Sequence, residues 1–206
     1  MRAALRTRMR GGDRGLTLAE LLVYSVLLLV VVAITGTLLI RGFVIQRDVR
    51  DMTTASNDGQ VTMASIEAGL RNAATVTTPS VFDGRLLVVM TRVGDQDDAP
   101  SSWQCRGWLY DTASKSLRTI EGAPGAAAPT KNLSLTSDFS AWRTILTDVV
   151  PVTRTGVTQP VFAAEGATGS QILFDVLEGA DGKSVTFGSA AIPRPQGTIT
   201  GGETCS

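Results

Sequence analysis

Three hydrophobic patterns follow one another along the chain. Leu21 to Ile40 contains no charged residue, and Val26 to Ile34 is aliphatic or Ala without a break. A helix that apolar on all sides does not lie on the surface of a soluble protein. Twenty residues at about 1.5 Å each give about 30 Å, the thickness of a bilayer's hydrocarbon core. Beyond Arg41 the pattern becomes one-sided. Ile45, Val49, Met52, Ser56, Gly59, Met63, Ile66, Leu70 and Ala73 recur at intervals of four and three, with Arg47, Asp48, Arg50, Asp51, Asp58, Glu67 and Arg71 mostly off that stripe. This predicts an amphipathic continuation of the same helix to about Ala74, with a weak point at Asn57-Asp58-Gly59. The stripe reads as packing onto a domain in preference to a coiled-coil partner site. Thr75 to Thr78 is β-prone and Pro79 closes the segment.

From Val81 the pattern is that of strands. Arg85 to Val93 is a nearly continuous apolar run, as in a buried strand, and Thr144 to Val152 and Gln171 to Leu177 are further strands. Trp103 to Tyr110 and Leu117 to Glu121 flank the polar turn 111–116, a hairpin; residues 178–183 turn Gln171–Leu177 into a strand over Ser184 to Ile192, a second hairpin. Gly122 to Thr130 reads as a loop. One long helix followed by antiparallel strands is an α+β chain.

Charge gives this order a direction. The 206 residues carry no formal net charge, yet residues 1–15 hold five arginines against Asp13, a net +4, and leave −4 for the rest. A basic segment before an apolar helix stays on the cytoplasmic side, which puts the body of the protein outside the membrane. A secretory signal peptide is a poor account, because the uncharged run exceeds an h-region of roughly 7–15 residues and only Thr35-Gly36-Thr37 approximates a cleavage site. The mildly acidic body argues against a nucleic-acid surface. There is no histidine, which removes His-based triads, imidazole acid–base chemistry and His metal ligands. No glycine spacing cradles phosphate and no nucleophile–base pair can be named, so the residues point to no enzyme, no cofactor and no metal.

Glu20 does not fit a plain signal anchor, since an acid at the head of an apolar run is costly in lipid unless something pairs with it. The stretch Arg14-Gly15-Leu16-Thr17-Leu18-Ala19-Glu20-Leu21-Leu22-Val23 resembles the class III signal of type IV pilins and pseudopilins: a short basic leader ending in Gly, an apolar residue, Glu five residues in, then an apolar helix. The resemblance covers some 25–30 residues. It departs from the family at Leu16, where Phe is usual, and at Thr37, where major pilins often carry Pro.

The resemblance implies that a prepilin peptidase cuts between Gly15 and Leu16 and that Leu16 is N-methylated. It implies that Glu20 pairs with the Leu16 amine of a neighbouring subunit, so that the partners are other pilin subunits and, before assembly, membrane lipid. The expected layout is a leader at 1–15, a transmembrane part of the helix at 16–40, its amphipathic continuation at 41–78 and an extracytoplasmic β-rich domain at 79–206, a pilin-like α+β fold.

Three smaller features remain. Cys105 and Cys205 are the two cysteines; outside the cytoplasm a lone pair is usually a disulfide, and many pilins close a C-terminal loop this way, against the alternative of a free thiol at Cys205 on a frayed tail. Asp95, Asp97 and Asp98 invite a calcium reading, but Pro100 and Arg106 stand where a calcium loop of the EF-hand kind needs Gly and Glu, so a solvated turn is preferred. Trp103, Trp108 and Tyr110, near Arg106, suggest a stacking face for DNA, against the commoner reading as packing residues of a small sheet. The expected function is a minor pilin or pseudopilin precursor that assembles into a type IV pilus or a type II secretion-like filament. The rivals are a membrane-anchored extracellular binding module that never assembles and a secreted enzyme.

Overall fold

The computed structural model describes residues 17–93, 103–166, 168–178, 182–194 and 205. The chain divides into two compact units, 1–48 and 49–206. Over the described residues the first unit is helix alone. The second contains the rest of that helix and every strand.

Helix α1 spans Leu18–Arg71, 54 residues. It contains no proline to remove an i→i−4 hydrogen bond, and its residues before Arg41 are mostly Leu, Val, Ala and Ile. It runs unbroken through Asn57-Asp58-Gly59, where the sequence suggested a break. The end comes earlier than expected: the helix stops at Arg71, and Ala73–Thr77 is strand β1. Pairing with the next strand, in which Ala73 faces Thr91 and Val76 faces Val89, gives the β-branched run 75–78 a ladder in place of another helical turn.

The strands form two antiparallel sheets and a two-stranded ribbon. In the first sheet β1, β2 (Leu86–Arg92), β3 (Trp103–Asp111), β4 (Ser116–Glu121) and β5 (Arg143–Leu146) lie side by side in chain order. The second sheet holds β6 (Val149–Val150), β9 (Phe162–Glu165), β10 (Gly169–Glu178) and β11 (Lys183–Ala191). β11 lines one edge of β10 throughout, while β9 and β6 share the other edge, pairing with residues 169–172 and 175–176. The ribbon is β7 (Thr153–Arg154) with β8 (Val157–Thr158). The single strand expected over Thr144–Val152 is therefore two, in different sheets. Asp148 turns the chain between them with φ +58°; its carbonyl accepts from the Leu177 amide (2.7 Å), and the Val149 amide donates to the Lys115 carbonyl (2.8 Å).

Two apolar layers flank β2, which is why its sequence is continuous instead of alternating. Leu87 and Val89 join Ile66, Leu70, Trp108, Phe174 and Phe187 between α1 and the sheets. Leu86, Val88 and Met90 face outward and are covered by Phe82, Trp103, Trp142, Ala128 and the Cys105–Cys205 bridge.

The helix meets both sheets through glycines. A Cβ on Gly69 would lie 2.3 Å from Trp108 Cη2, and one on Gly59 would lie 2.3 Å from Phe187 Cζ. Each glycine is the seat of an aromatic ring, Trp108 from β3 and Phe187 from β11. Such close approach is the reason for glycine mid-helix, where its intrinsic cost is about 1 kcal/mol against Ala.

Candidate functional site

The sequence-based site residues fall into two groups, one in each unit. Gly15 and Leu16 lie outside the described residues. At the start of α1 the Thr17 side chain takes the cap position: the Glu20 amide donates to Thr17 Oγ1 (3.3 Å) and to the Thr17 carbonyl (3.0 Å). Glu20 is thus the third residue of the helix, and Thr17-Leu18-Ala19-Glu20 has the spacing of a capping box. Its carboxylate accepts from the Tyr24 hydroxyl one turn on (3.4 Å) and sits where the helix dipole favours a negative charge. The sequence reading passed over this local role, although the Thr-x-x-Glu spacing carries it.

Around and beyond Glu20 the helix presents apolar side chains on every side. Leu18 is 84% exposed, Leu29 68% and Phe43 68%, and no residue of the most apolar window is buried. The segment is long and apolar enough to cross a membrane. Its polar residues are satisfied within the helix: Ser25 donates to the Leu22 carbonyl, Thr35 to Val31 and Thr37 to Ala33, each at 2.8 Å. Back-bonding of this kind satisfies these three hydroxyls, so that beyond Glu20 and Tyr24 lipid or another apolar helix meets a surface that is largely hydrocarbon. A Cβ added to Gly36 or Gly42 would meet nothing within 4 Å, in contrast with Gly59 and Gly69.

The predicted stripe divides in the same way. Gly59, Met63, Ile66, Leu70 and Ala73 are buried, whereas Ile45, Val49 and Met52 are exposed at 62%, 59% and 45%. Those three expected packing residues are left uncovered.

No protein-family model, curated protein or solved structure matches the chain.

In the second unit Cys105 on β3 and Cys205 are joined in a disulfide with their Cα atoms 5.6 Å apart, inside the usual range. Both are buried, and the Thr130 hydroxyl donates to the Cys205 carbonyl. The bridge therefore closes the outer apolar layer and does not present a reactive sulfur. Trp103, Trp108 and Tyr110 are buried as well, at 6%, 0% and 4% exposure, which removes the stacking face suggested by their spacing. Both sides of β3 are covered, so alternate residues point into two different cores. Arg106 lies over the Trp108 ring (5.2 Å) and pairs with Glu121 (3.6 Å), so its charge is used within the fold. Asp95, Asp97 and Asp98 lie outside the described residues, and among the described residues no three His, Cys, Asp or Glu side chains group closely enough to hold a metal.

The β3–β4 turn shows the clearest charge effect. Burial works to raise the Asp111 pKa, but hydrogen bonds from the Ser114 hydroxyl and the Ala113 and Ser114 amides, with Arg118 at 3.2 Å, together hold it below the ordinary value. Next to it, burial and the Asp111 charge push the Tyr110 hydroxyl upward, against the opposing pull of Arg85.

Proposed function

We propose that the chain is the precursor of a minor pilin or pseudopilin. In this reading a prepilin peptidase cuts between Gly15 and Leu16, and Leu16 becomes the N-methylated first residue. The protein waits in the cytoplasmic membrane as a single-pass anchor with its N-terminus inside and its β-rich body outside. It then enters a type IV pilus or a type II secretion-like filament through α1. The observation that supports this best is the exposed apolar surface of α1 from Leu18 to Met52, headed by Glu20 and left uncovered by the described residues. Lipid satisfies that surface before assembly and the helices of neighbouring subunits satisfy it afterwards. The Glu20 carboxylate then meets the Leu16 amine of a neighbour, which offsets its burial and sets the axial register.

The anchored module that never assembles is the second reading, and one observation favours it. The Thr17 cap and the Tyr24 contact give Glu20 a role inside its own helix. The two readings differ in what Glu20→Ala and Glu20→Gln do in a strain that makes filaments. The filament reading expects leader cleavage and membrane insertion near wild type, and a loss of sheared extracellular protein relative to membrane-bound protein for both variants. Equal ratios for wild type and both variants move the anchored module ahead. Intact-mass measurement after co-expression with a prepilin peptidase checks the cut separately, with methylated Leu16 as the expected first residue and an uncut precursor as the contrary result.

A further inference from the structure

A cleft of about 410 Å³ opens between α1 and the ends of β5, β6 and β10. The helix contributes Asp51, Thr54, Ala55 and Asp58, spaced at three, four and seven residues and so on one face. Across from them stand Asp148, at the crossing between sheets, and Glu178, the last residue of β10. Among the described residues four carboxylates line the cleft and no lysine or arginine does.

Acidic residues on a surface are ordinary; Glu178 is not. On β10 it follows Phe174 and Val176 at a period of two, so it belongs to the face turned toward the core, and it is only 7% exposed. Its Oε2 is buried without a hydrogen-bond partner, although Lys183 stands opposite Glu178 in the β10–β11 register. A buried carboxylate oxygen left without a donor is costly, and a donor supplied from outside removes that cost.

We propose that this cleft receives an arginine of a second copy of the chain, namely Arg194. This rests on the filament reading and names a contact between the bodies of successive subunits. Arg194 is exposed, has no ion pair among the described residues, and is held at the far end of the packed part of α1 by its amide, which donates to the Arg71 carbonyl (3.2 Å). Ile192 beside it is 65% exposed. Asp58 and Arg71 are thirteen residues apart on one helix, roughly 20 Å along its axis. An acidic socket at one end of a helical segment and a cationic plug at the other form a head-to-tail pair. Such a heterologous pair leaves a free socket and a free plug on every dimer, and repetition with a rotation that does not close a ring extends it into a fibre.

A guanidinium suits the socket because it brings several fixed N–H donors to spread carboxylate oxygens. A bare metal ion suits it less, since these carboxylates do not converge into a coordinating group. The charge reading stands on Asp58, Asp148 and Glu178 without Asp51.

The test uses the full-length chain in a filament-forming host. Thr147, an exposed residue of the cleft wall, and Arg194 are replaced together by cysteine. Mild oxidation should produce a ladder of cross-linked multimers from the double variant and none from either single variant. Arg194→Glu should lower the sheared fraction by about tenfold or more, because like charges then face each other across the contact. Adding Asp58→Arg to Arg194→Glu should restore much of it. Filaments of wild-type yield from Arg194→Glu, or no ladder in a strain whose wild-type protein is sheared normally, overturn the contact and leave the filament reading standing. Wild-type protein that never enters the sheared fraction overturns both. Stoichiometric calcium binding measured by titration calorimetry, and abolished by Asp58→Arg, assigns the cleft to a metal and also overturns the proposal.

Discussion

The two parts of α1, before and after Asp48, treat their apolar residues differently: the first exposes them all round, whereas the second buries one face and leaves Val49, Met52 and Val61 exposed. In the second unit Ile66 and Leu70 are fully buried. In the first, leucines and valines of the same size are 49% to 84% exposed. Hydrophobic content is higher before Asp48, and two further differences go with it: sidedness and the placement of small residues. The buried part shows one apolar face, with Gly59 and Gly69 letting Phe187 and Trp108 come up to the backbone. The exposed part is apolar on all sides and has no ring against its glycines. A helix apolar all round needs an apolar medium, whereas a one-sided helix needs a complementary domain.

The comparison is broken most directly by the same truncation in both parts, in full-length protein in detergent. Leu70→Ala should cost about 2–5 kcal/mol in denaturant unfolding, whereas Leu29→Ala should stay within about 0.5 kcal/mol. Similar costs at the two positions would mean that Leu29 is covered in the folded protein, against its 68% exposure. Next in size is the disulfide. Reduction, or Cys105→Ala with Cys205→Ala, should lower stability by roughly 2–5 kcal/mol, because a 100-residue loop is released and the outer layer loses its cover. A melting temperature indifferent to reductant would remove the bridge from the account of that layer.

The glycines sharpen the contrast with opposite signs. Gly69→Ala should destabilise by about 1–3 kcal/mol despite the better helix propensity of Ala, since the fully buried Trp108 has nowhere to move. Gly36→Ala, with open space around it, should raise helix stability by up to about 1 kcal/mol, read by circular dichroism on heating in micelles. The smallest effect is that of Asp111. Its pKa is lowered in the fold, so its contribution is fully present above the unfolded carboxylate value and fades as the pH falls through the lowered one. Asp111→Asn should lower the melting temperature slightly at neutral pH. The gap to wild type should close as the pH falls through the lowered value, which flattens the acid limb in a pH series.

The long helix, the α+β class and both hairpins were legible because each rests on a long periodic segment. The stop at Arg71 was not, because the backbone partners of Ala73–Thr77 lie on β2 and local propensity does not see them. Gly59 looked like a break for the same reason: Phe187, which explains it, is 128 residues away in sequence. The two-residue strands β6, β7 and β8 have no period to detect, and the sheet change at Asp148 shows only as a positive φ. Of the candidate site, Glu20 and the cysteine pair stood out through chemistry that is odd in context. Glu178 read as the first residue of a turn, although counting by twos from Phe174 and Val176 places it on the core face.

The bridge between Cys105 and Cys205 also imposes an order of events. At ribosomal speeds of roughly 5–20 residues per second, β3 is made about 5–20 s before its covalent partner. Through that interval the Cys105 thiol has nothing in its own chain to pair with, because there are two cysteines in all. Premature oxidation can join it only to another molecule. The outer layer over β2, with Met90 and Trp103 on it, stays uncapped for just as long. Fidelity in making this protein thus depends on keeping nascent copies apart until residue 205 arrives, a demand that comes from timing and spacing along the chain and from no contact in the finished fold.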